Sequence, residues 1–409
     1  MNNKIKLVSL CLLGLTAFTA CKKAVSSEGA KFDTTSSAGI YDEQSKKDIE
    51  KTANLMLDKL VGVDKLESVG TSINLLSLLN KDNTSSSEMN NDSFMPIALL
   101  NAVADFGNTG STKSVEKTLK SGTSSENSLA NFNDAKGEYV WDGKQFVKSP
   151  SNQIIVRFPS QEGRGNDAMY SISYEENKSN TILPDDLKAP ALVDAKLSVG
   201  GTVLLQFIFK SAFDAQGMPT FVQSKLIMAP FSFESTMNAN SGEINESFSF
   251  RKSGEILIGM GMGMKGSFTS NDVKSLLGEN SSNDQALKSV KSMNANFQLL
   301  DLIIKSELDV AGASKVSDLG NLEDNMTQLN SYYKSGLYYT STGAKIADLQ
   351  FYTKVSDSQS QEETTETSIR LVFPDKSKID LSTYLDGFDD LTKDFETRID
   401  EALGNDTKK

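Results

Sequence analysis

Apolar residues recur at every second position from about residue 136 onwards, in segments separated by short turn signals. The segment AMYSISYEE shows this alternation, and Asp142-Gly143 and Gly200-Gly201 stand where two hairpins would reverse. A period of two is typical of β-strands that bury one face. No helical pattern separates the strand segments between residue 136 and about residue 268, which excludes βαβ units there. This alternation predicts a large antiparallel sheet.

We predict an α+β fold in which a large curved antiparallel β-meander, half-barrel-like or an open barrel, forms the body. Helices from the N- and C-terminal regions are expected to pack on it. Ile49, Ala53 and Met56 fall on one face of a helical period near the N-terminus. A C-terminal helix is predicted to begin at Asp389-Asp390, which suits the positive end of the helix dipole, and to end at Gly404.

Changes in composition and periodicity divide the chain into five segments. They are a signal peptide (1–20), a lipidated flexible tether (21–40), a helical, loop-rich region (41–135), the antiparallel β-meander (136–270), and a continuation of the sheet with helices and the C-terminal helix (271–409). The tether is small and polar without a hydrophobic period, as flexible linkers are.

The first twenty residues have the three parts of a cleaved export signal. Lys4 and Lys6 form a short basic region, Leu7 to Ala17 is apolar, and small residues lead directly into Cys21. The stretch FTAC resembles a bacterial lipobox, and the resemblance implies that Cys21 is lipidated and becomes the first residue of the mature chain. The alternative is an ordinary signal peptide with an incidental cysteine. Two or three acyl chains give stable membrane attachment, whereas one does not.

The residues that the chain lacks restrict its chemistry. Histidine is absent, and the two cysteines are Cys11 in the signal and Cys21 at the anchor. The mature domain is therefore without a disulfide, a thiol nucleophile, a thiolate or imidazole metal ligand, or a Ser-His or Cys-His pair. We predict a protein that is not an enzyme and has no catalytic residue, metal site or cofactor. A hydrolase built from two carboxylates across a cleft is a less favoured alternative.

Charge argues against one class of partner. The formal net charge is -12, and lysines and arginines form no stripe. Nucleic-acid binding depends on neutralising phosphates, so a nucleic-acid partner is not expected. The partners that remain are the membrane, through the lipid anchor, and a lipid or other apolar ligand, whereas the sequence identifies no protein partner.

Residues 259–267, GMGMGMKGS, contain the spacing G-x-G-x-x-G at Gly261, Gly263 and Gly266. A dinucleotide-binding turn needs a helix that begins on the glycines and a parallel sheet beneath it. Here the helical pattern starts several residues later, and a period of two accounts for the whole stretch. We therefore predict a strand with methionines on one face and glycines on the other. The methionines are either core residues or, with the glycines, the lining of an apolar ligand site: Met260, Met262, Met264, Gly259, Gly261 and Gly263.

Four short motifs along the sheet region resemble those of a family of Bacteroidota outer-membrane lipoproteins. They are GEYVW (G-x-Y-x-W), the strand end FP at 158–159, LPDDL (L-P-x-x-L) and PFSF (P-F-x-F). The resemblance implies an envelope lipoprotein and carries no activity with it. Asp33-Thr34-Thr35 also resembles an O-glycosylation site of Bacteroidota envelope proteins, which makes Thr34 a candidate for modification.

The leading functional hypothesis is a membrane-anchored envelope lipoprotein that binds a lipid or other apolar ligand in the curved sheet. The alternative is a cell-surface adhesin or glycan-binding accessory lipoprotein. Lys22-Lys23 follows the anchor where some surface lipoproteins carry acidic export signals. We therefore expect a location at the outer membrane, with the periplasmic side favoured over the cell surface.

Overall fold

A computed structural model describes much of the region from residue 136 to residue 381 and a few helical positions before it. The described residues are 47–49, 51–52, 55, 59, 136–177, 182–183, 187–188, 190–215, 219–269, 272, 289–314, 327–328, 330–356 and 364–381. The signal peptide, the tether with Cys21 and Thr34, nearly all of the predicted helical region 41–135 and the predicted C-terminal helix lie outside these residues.

Eighteen strands are described. They are β1 (Gly137–Trp141), β2 (Phe146–Ser149), β3 (Ile154–Phe158), β4 (Ala168–Glu176), β5 (Ile182–Leu183), β6 (Leu187–Lys188), β7 (Pro190–Val199), β8 (Thr202–Phe213), β9 (Pro219–Met228), β10 (Phe231–Ala239), β11 (Glu243–Lys252), β12 (Glu255–Gly266), β13 (Val290–Leu299), β14 (Leu302–Asp309), β15 (Tyr333–Tyr339), β16 (Lys345–Ser356), β17 (Thr364–Val372) and β18 (Lys378–Asp380). The alternating pattern thus predicted a β-rich fold correctly.

Sixteen of these strands form one sheet, in the order β18-β17-β16-β15-β14-β13-β12-β11-β10-β9-β8-β7-β4-β3-β1-β2. β18 and β2 stand at the two ends of this order, and no pairing between them is seen in the described part of the chain. β1 pairs with β3 in parallel, so the sheet is mixed rather than purely antiparallel. The short strands β5 and β6 form a separate two-stranded sheet.

The predicted α+β class with packed helices is wrong for the described residues, which form a β-rich fold with few helices. Helix is limited there to single turns and short pieces, such as Val310–Ala313 and residues 330–332. The physical reason is the continuous alternation after residue 136, which pairs strand with strand and leaves little chain for helices. Residues 47–49 and 51–52 are helical as predicted, and Ile49 packs against the sheet.

The two predicted hairpin turns are confirmed. The Asp142 carboxylate accepts hydrogen bonds from the backbone N–H groups of Lys144 (2.8 Å) and Gln145 (2.9 Å), and Gly143 has φ +100°. Gly200 and Gly201 have φ of +56° and +82° between β7 and β8. Two consecutive positive φ angles define the two-residue turn that matches the twist of a hairpin, and glycine adopts them without strain.

A third turn is fixed by a carboxylate. Asp301, between β13 and β14, accepts hydrogen bonds from the hydroxyl of Thr340, the hydroxyl of Ser341 (2.8 Å) and the backbone N–H of Ser341 (2.8 Å). Burial raises the pKa of Asp301, but these hydrogen bonds to its charged form outweigh that effect, and the pKa lies below its ordinary value.

The described residues fall into two compact units. The first unit holds described residues 136–238 and 250–255. The second unit holds the described residues of 47–59, 239–249 and 256–381.

The first unit buries one face of its strands. One row across five neighbouring strands is at most 2% exposed, and its members are Ile154, Ile172, Ala195, Phe207 and Leu226. The opposite face is mixed: Ile155, Ile208 and Ile227 share it with polar and charged side chains. There Asp194 accepts from Lys196 (2.7 Å) and Gln206 (2.8 Å), and Glu234 accepts from Gln223 (2.7 Å). The period-two sequence therefore builds one continuous apolar face and gathers the polar side chains on the other.

The second unit has its own apolar cluster on β14 to β17, with Ile346 and Leu371 fully buried. Ile49 from the helical residues packs against this cluster, and Tyr339 donates a hydrogen bond to the Asp48 carboxylate at 2.8 Å. The face that carries this cluster in β14 continues through β13 to the methionines of β12.

Candidate functional site

β12 carries the glycine and methionine residues singled out from the sequence. It runs from Glu255 to Gly266 through all three glycines of the G-x-G-x-x-G spacing, and β13 pairs with it in antiparallel register. The strand prediction is confirmed. Because β11 and β13 flank β12, the backbone N–H groups of the glycines lie between paired strands, where a phosphate cannot use them.

The two faces of β12 differ in exposure. Leu257, Gly259, Gly261 and Gly263 are buried on one face. On the other face Met260 and Met262 are half-buried, and Met264 is 5% exposed. The predicted alternation of glycine and methionine faces is thus present in the structure, with the methionine side the more exposed of the two at its centre.

Amide side chains cover the glycines. The cross-strand partners of Gly259, Gly261 and Gly263 are three amides of β13: Gln298, Asn296 and Asn294. A Cβ added at Gly261 would overlap the Asn296 amide, and one added at Gly263 would lie 2.6 Å from Asn245 Oδ1. Both added Cβ atoms would lie closer to an amide side chain than van der Waals contact allows. The glycine face of β12 therefore contacts protein, and absent side chains there leave room for the amides.

The methionine face continues as an apolar row on the neighbouring strand. Met260 lies opposite Phe297, Met262 opposite Ala295, and Met264 opposite Met293. All three β13 partners are half-buried. Methionine side chains are flexible and polarizable, so such a row adapts to apolar groups of different shape. Whether it lines a ligand site stays a prediction.

A hydroxyl cluster lies beyond this row on the same face. Ser306 of β14 is buried, and its hydroxyl is 2.7 Å from that of Ser335 and 3.2 Å from the hydroxyl of Tyr333. These hydroxyls satisfy one another's hydrogen bonds in an apolar setting. The cluster places polar hydroxyl groups beside this apolar row.

Carboxylates of the second unit are engaged with donors. Asp380 accepts hydrogen bonds from Tyr352 and Ser368, and Asp348 pairs with Lys345. Within the part of the chain that the structure describes, no group of three or more metal-ligating side chains is placed to hold a metal ion.

The sequence did not predict the amide row, which is formed by Asn294, Asn296 and Gln298 of β13 opposite the glycines. Its signal is present in the segment MNANFQ, where Asn294, Asn296 and Gln298 alternate with apolar residues. The same spacing of two separates Gly259, Gly261 and Gly263. Only the register of the strand pair, which the sequence does not specify, places each amide opposite a glycine.

These features define a β-rich protein with a large mixed sheet, on which glycines under amides and half-exposed methionines occupy opposite sides of one strand. No helix within the described residues has the length and apolar character needed to cross a membrane.

No family model matches the chain, and no curated protein matches it. Among solved structures, the chain is similar to a porin-like protein from Bacteroides vulgatus ATCC 8482. The sequence identity is 9%, the match covers 59% of this chain and 88% of that chain, and the TM-score is 0.17. A likeness at this TM-score carries no argument about fold or function.

Proposed function

We propose that the protein is a non-enzymatic envelope lipoprotein, anchored through Cys21 at the periplasmic side of the outer membrane, which binds a lipid or other apolar ligand. The ligand lies on the methionine row, defined as Met260, Met262, Met264, Met293, Ala295 and Phe297.

The observation that carries this proposal is the partial exposure of Met260 and Met262. On the opposite face of the same strand, Leu257 is fully buried. A methionine row that served only as core would be expected to reach similar burial. Transferring apolar surface out of water contributes roughly 25 cal/mol per Å². An acyl chain or similar group over the row would gain this free energy without any polar partner.

The N-terminal sequence supports the anchor and the location. Cys21 follows the small residues of an export signal, and acylation there would hold the domain at a membrane that contains lipid ligands.

The experiment compares bound lipids in wild type and a methionine variant. The protein is extracted in mild detergent, purified natively, and its bound lipids are released and identified by mass spectrometry. Met260→Gln with Met262→Gln makes the centre of the row polar, and we expect the amount of bound lipid to fall about tenfold, since two buried thioethers contribute roughly 1.4 kcal/mol or more.

The matched control makes the same kind of change at exposed apolar positions, Val147→Gln with Val203→Gln, which are 50% and 43% exposed in wild type. This control should keep the wild-type lipid content. Wild-type protein that purifies without lipid, or a methionine variant that keeps it, would contradict the proposal. Lipids that remain attached covalently at Cys21 are distinguished because they survive denaturing extraction.

A further inference from the structure

We infer that the methionine row is a modification site, at which a peroxide oxidises Met260, Met262 and Met293 to methionine sulfoxide and so weakens the binding of the apolar ligand. The inference rests on the proposed function, because it describes how the occupancy of that same row is regulated.

Oxidisable sulfur is gathered on this face. Four methionines stand together on the neighbouring strands β12 and β13, and they are Met260, Met262, Met264 and Met293. The same face of β12 begins with Ile256 and Ile258, whose hydrocarbon side chains a peroxide does not attack. The face therefore changes from inert apolar residues to oxidisable ones within a single strand.

The sulfurs of the row differ in accessibility. Met260, Met262 and Met293 are half-buried, whereas Met264 is 5% exposed. Oxidation depends on exposure, so the first three should react before Met264. No cysteine lies in the part of the chain that the structure describes, so no thiol competes there for the oxidant. An apolar ligand on the row covers the same side chains, and the row is therefore open to oxidation when it is empty.

The reaction needs hydrogen peroxide and no catalytic residue. A lone pair of the thioether sulfur attacks one peroxide oxygen, the S–O bond forms and the O–O bond breaks. The departing hydroxide takes the proton from the new S–OH group and leaves as water. Sulfur is oxidised by two electrons and the peroxide is reduced. The product is a polar sulfoxide, which methionine sulfoxide reductases convert back to the thioether.

A sulfoxide in the row weakens apolar binding because its oxygen loses water when a ligand covers it. Met260 lies opposite Phe297 and Met262 lies opposite Ala295. Neither partner has a side-chain donor for the new oxygen, and an apolar ligand has none either. Covering a polar group that has no hydrogen-bond partner costs free energy, so the oxidised row favours the empty state.

The test measures binding of the neutral apolar probe N-phenyl-1-naphthylamine to the purified full chain, by the rise in its fluorescence. Hydrogen peroxide is added and then removed with catalase before the titration. We expect the affinity to fall about tenfold, as for the two glutamine substitutions in the row. Treatment with methionine sulfoxide reductases A and B and dithiothreitol should restore it. Circular dichroism before and after oxidation checks that the sheet is retained.

Peptide mass spectrometry identifies the oxidised positions. During the treatment, sulfoxide should accumulate at Met260, Met262 and Met293 ahead of Met264. Probe present during the peroxide treatment should slow oxidation of the first three, because it covers them.

Leucine variants separate the row from the other methionines. The triple variant Met260→Leu, Met262→Leu and Met293→Leu keeps an apolar row of similar volume without these sulfurs. It should bind the probe within about twofold of wild type, both before and after peroxide. The matched control, Met228→Leu with Met237→Leu, removes two half-buried methionines of the first unit. It should lose affinity on oxidation as wild type does.

The outcomes distinguish this inference from the proposed function. Wild type that does not bind the probe would contradict both. Undiminished binding by protein with sulfoxide at all three positions would overturn the inference alone, and the proposed function would stand. Oxidation of Met264 ahead of the other three, or equal losses of affinity in wild type and the triple variant, would also overturn it.

Discussion

At the scale of single residues, amide side chains of β13 occupy the space that the glycines of β12 leave empty. The Asn296 amide lies over Gly261, at the position that the Cβ of any other residue would take. Gly259 is different, because an added Cβ there would meet Ile256 Cγ2 at 3.3 Å and Gln298 Cβ at 3.4 Å. Glycine in a strand costs roughly 0.5–1 kcal/mol relative to alanine. The two glycines should therefore respond in different ways to the same substitution.

Gly261→Ala is expected to lower the free energy of unfolding by about 1–3 kcal/mol, because the new methyl group overlaps the Asn296 amide and forces it to move. Gly259→Ala is the matched control and should change stability by less than about 1 kcal/mol, since its contacts are tight but allow small adjustments. Urea unfolding followed by circular dichroism measures both.

Adding Asn296→Ser to Gly261→Ala removes the overlapping amide. We expect the double variant to recover at least half of the lost stability, which a double-mutant cycle detects as coupling between the two positions. Independent effects of the two substitutions would show that the amide and the glycine do not share the same space.

At the scale of elements, the turn around Asp301 ties the β13–β14 connection to the residues that follow β15. The charged carboxylate receives three hydrogen bonds from Thr340 and Ser341, and its pKa is lowered in the folded protein. A carboxyl group with a lowered folded pKa binds protons more readily in the unfolded chain. Its contribution to stability is therefore present above the unfolded pKa and disappears as the pH falls through the folded pKa.

Asp301→Asn should accordingly reduce the stability lost between about pH 5 and pH 2, so that its curve of unfolding free energy against pH is flatter than that of wild type. Ser341→Ala keeps the carboxylate and removes one hydrogen bond, and we expect a smaller flattening. Urea titrations at each pH measure the effect. Parallel curves for wild type and Asp301→Asn would contradict the assignment.

Turns were predictable from the sequence because their cause is local. Asp142-Gly143 and Gly200-Gly201 contain glycines, which adopt positive φ without strain. Each turn then makes the two strands that it joins neighbours in the sheet. The parallel pairing of β1 with β3 was not predictable, because β2 folds back to the edge and leaves β1 next to a strand that is not its sequence neighbour. The position of the amides over the glycines depends on the register of β13 on β12, which is also set by contacts between segments that are apart in the sequence.

At the scale of the whole molecule, the sequence predicted the β-rich body, whereas helices are few among the residues that the structure describes. Period two is read directly from residues such as those of β4 and β11, whereas the packing of helices on a sheet depends on contacts between distant segments. The buried apolar face of the first unit follows from the same alternation, since neighbouring strands bring every second apolar residue to one side.

The proposed lipid anchor at Cys21 is tested on the entire chain. Cys21→Ser should abolish incorporation of labelled palmitate and release the protein from the membrane fraction, because no acyl chain remains to be buried in the bilayer. Cys11→Ser removes the other cysteine of the chain and should leave both labelling and fractionation unchanged. Labelling of the Cys21→Ser variant would contradict the assignment of the anchor.

The strand order has a consequence for how the chain acquires its structure. From β7 to β18 each strand pairs with the strand that precedes or follows it in sequence. Most partners are therefore separated by short loops, such as the two residues between Met228 and Phe231. Short separations keep the entropy of loop closure small and make pairing fast. A chain of this kind can add one hairpin after another, without waiting for segments far apart in the sequence to meet.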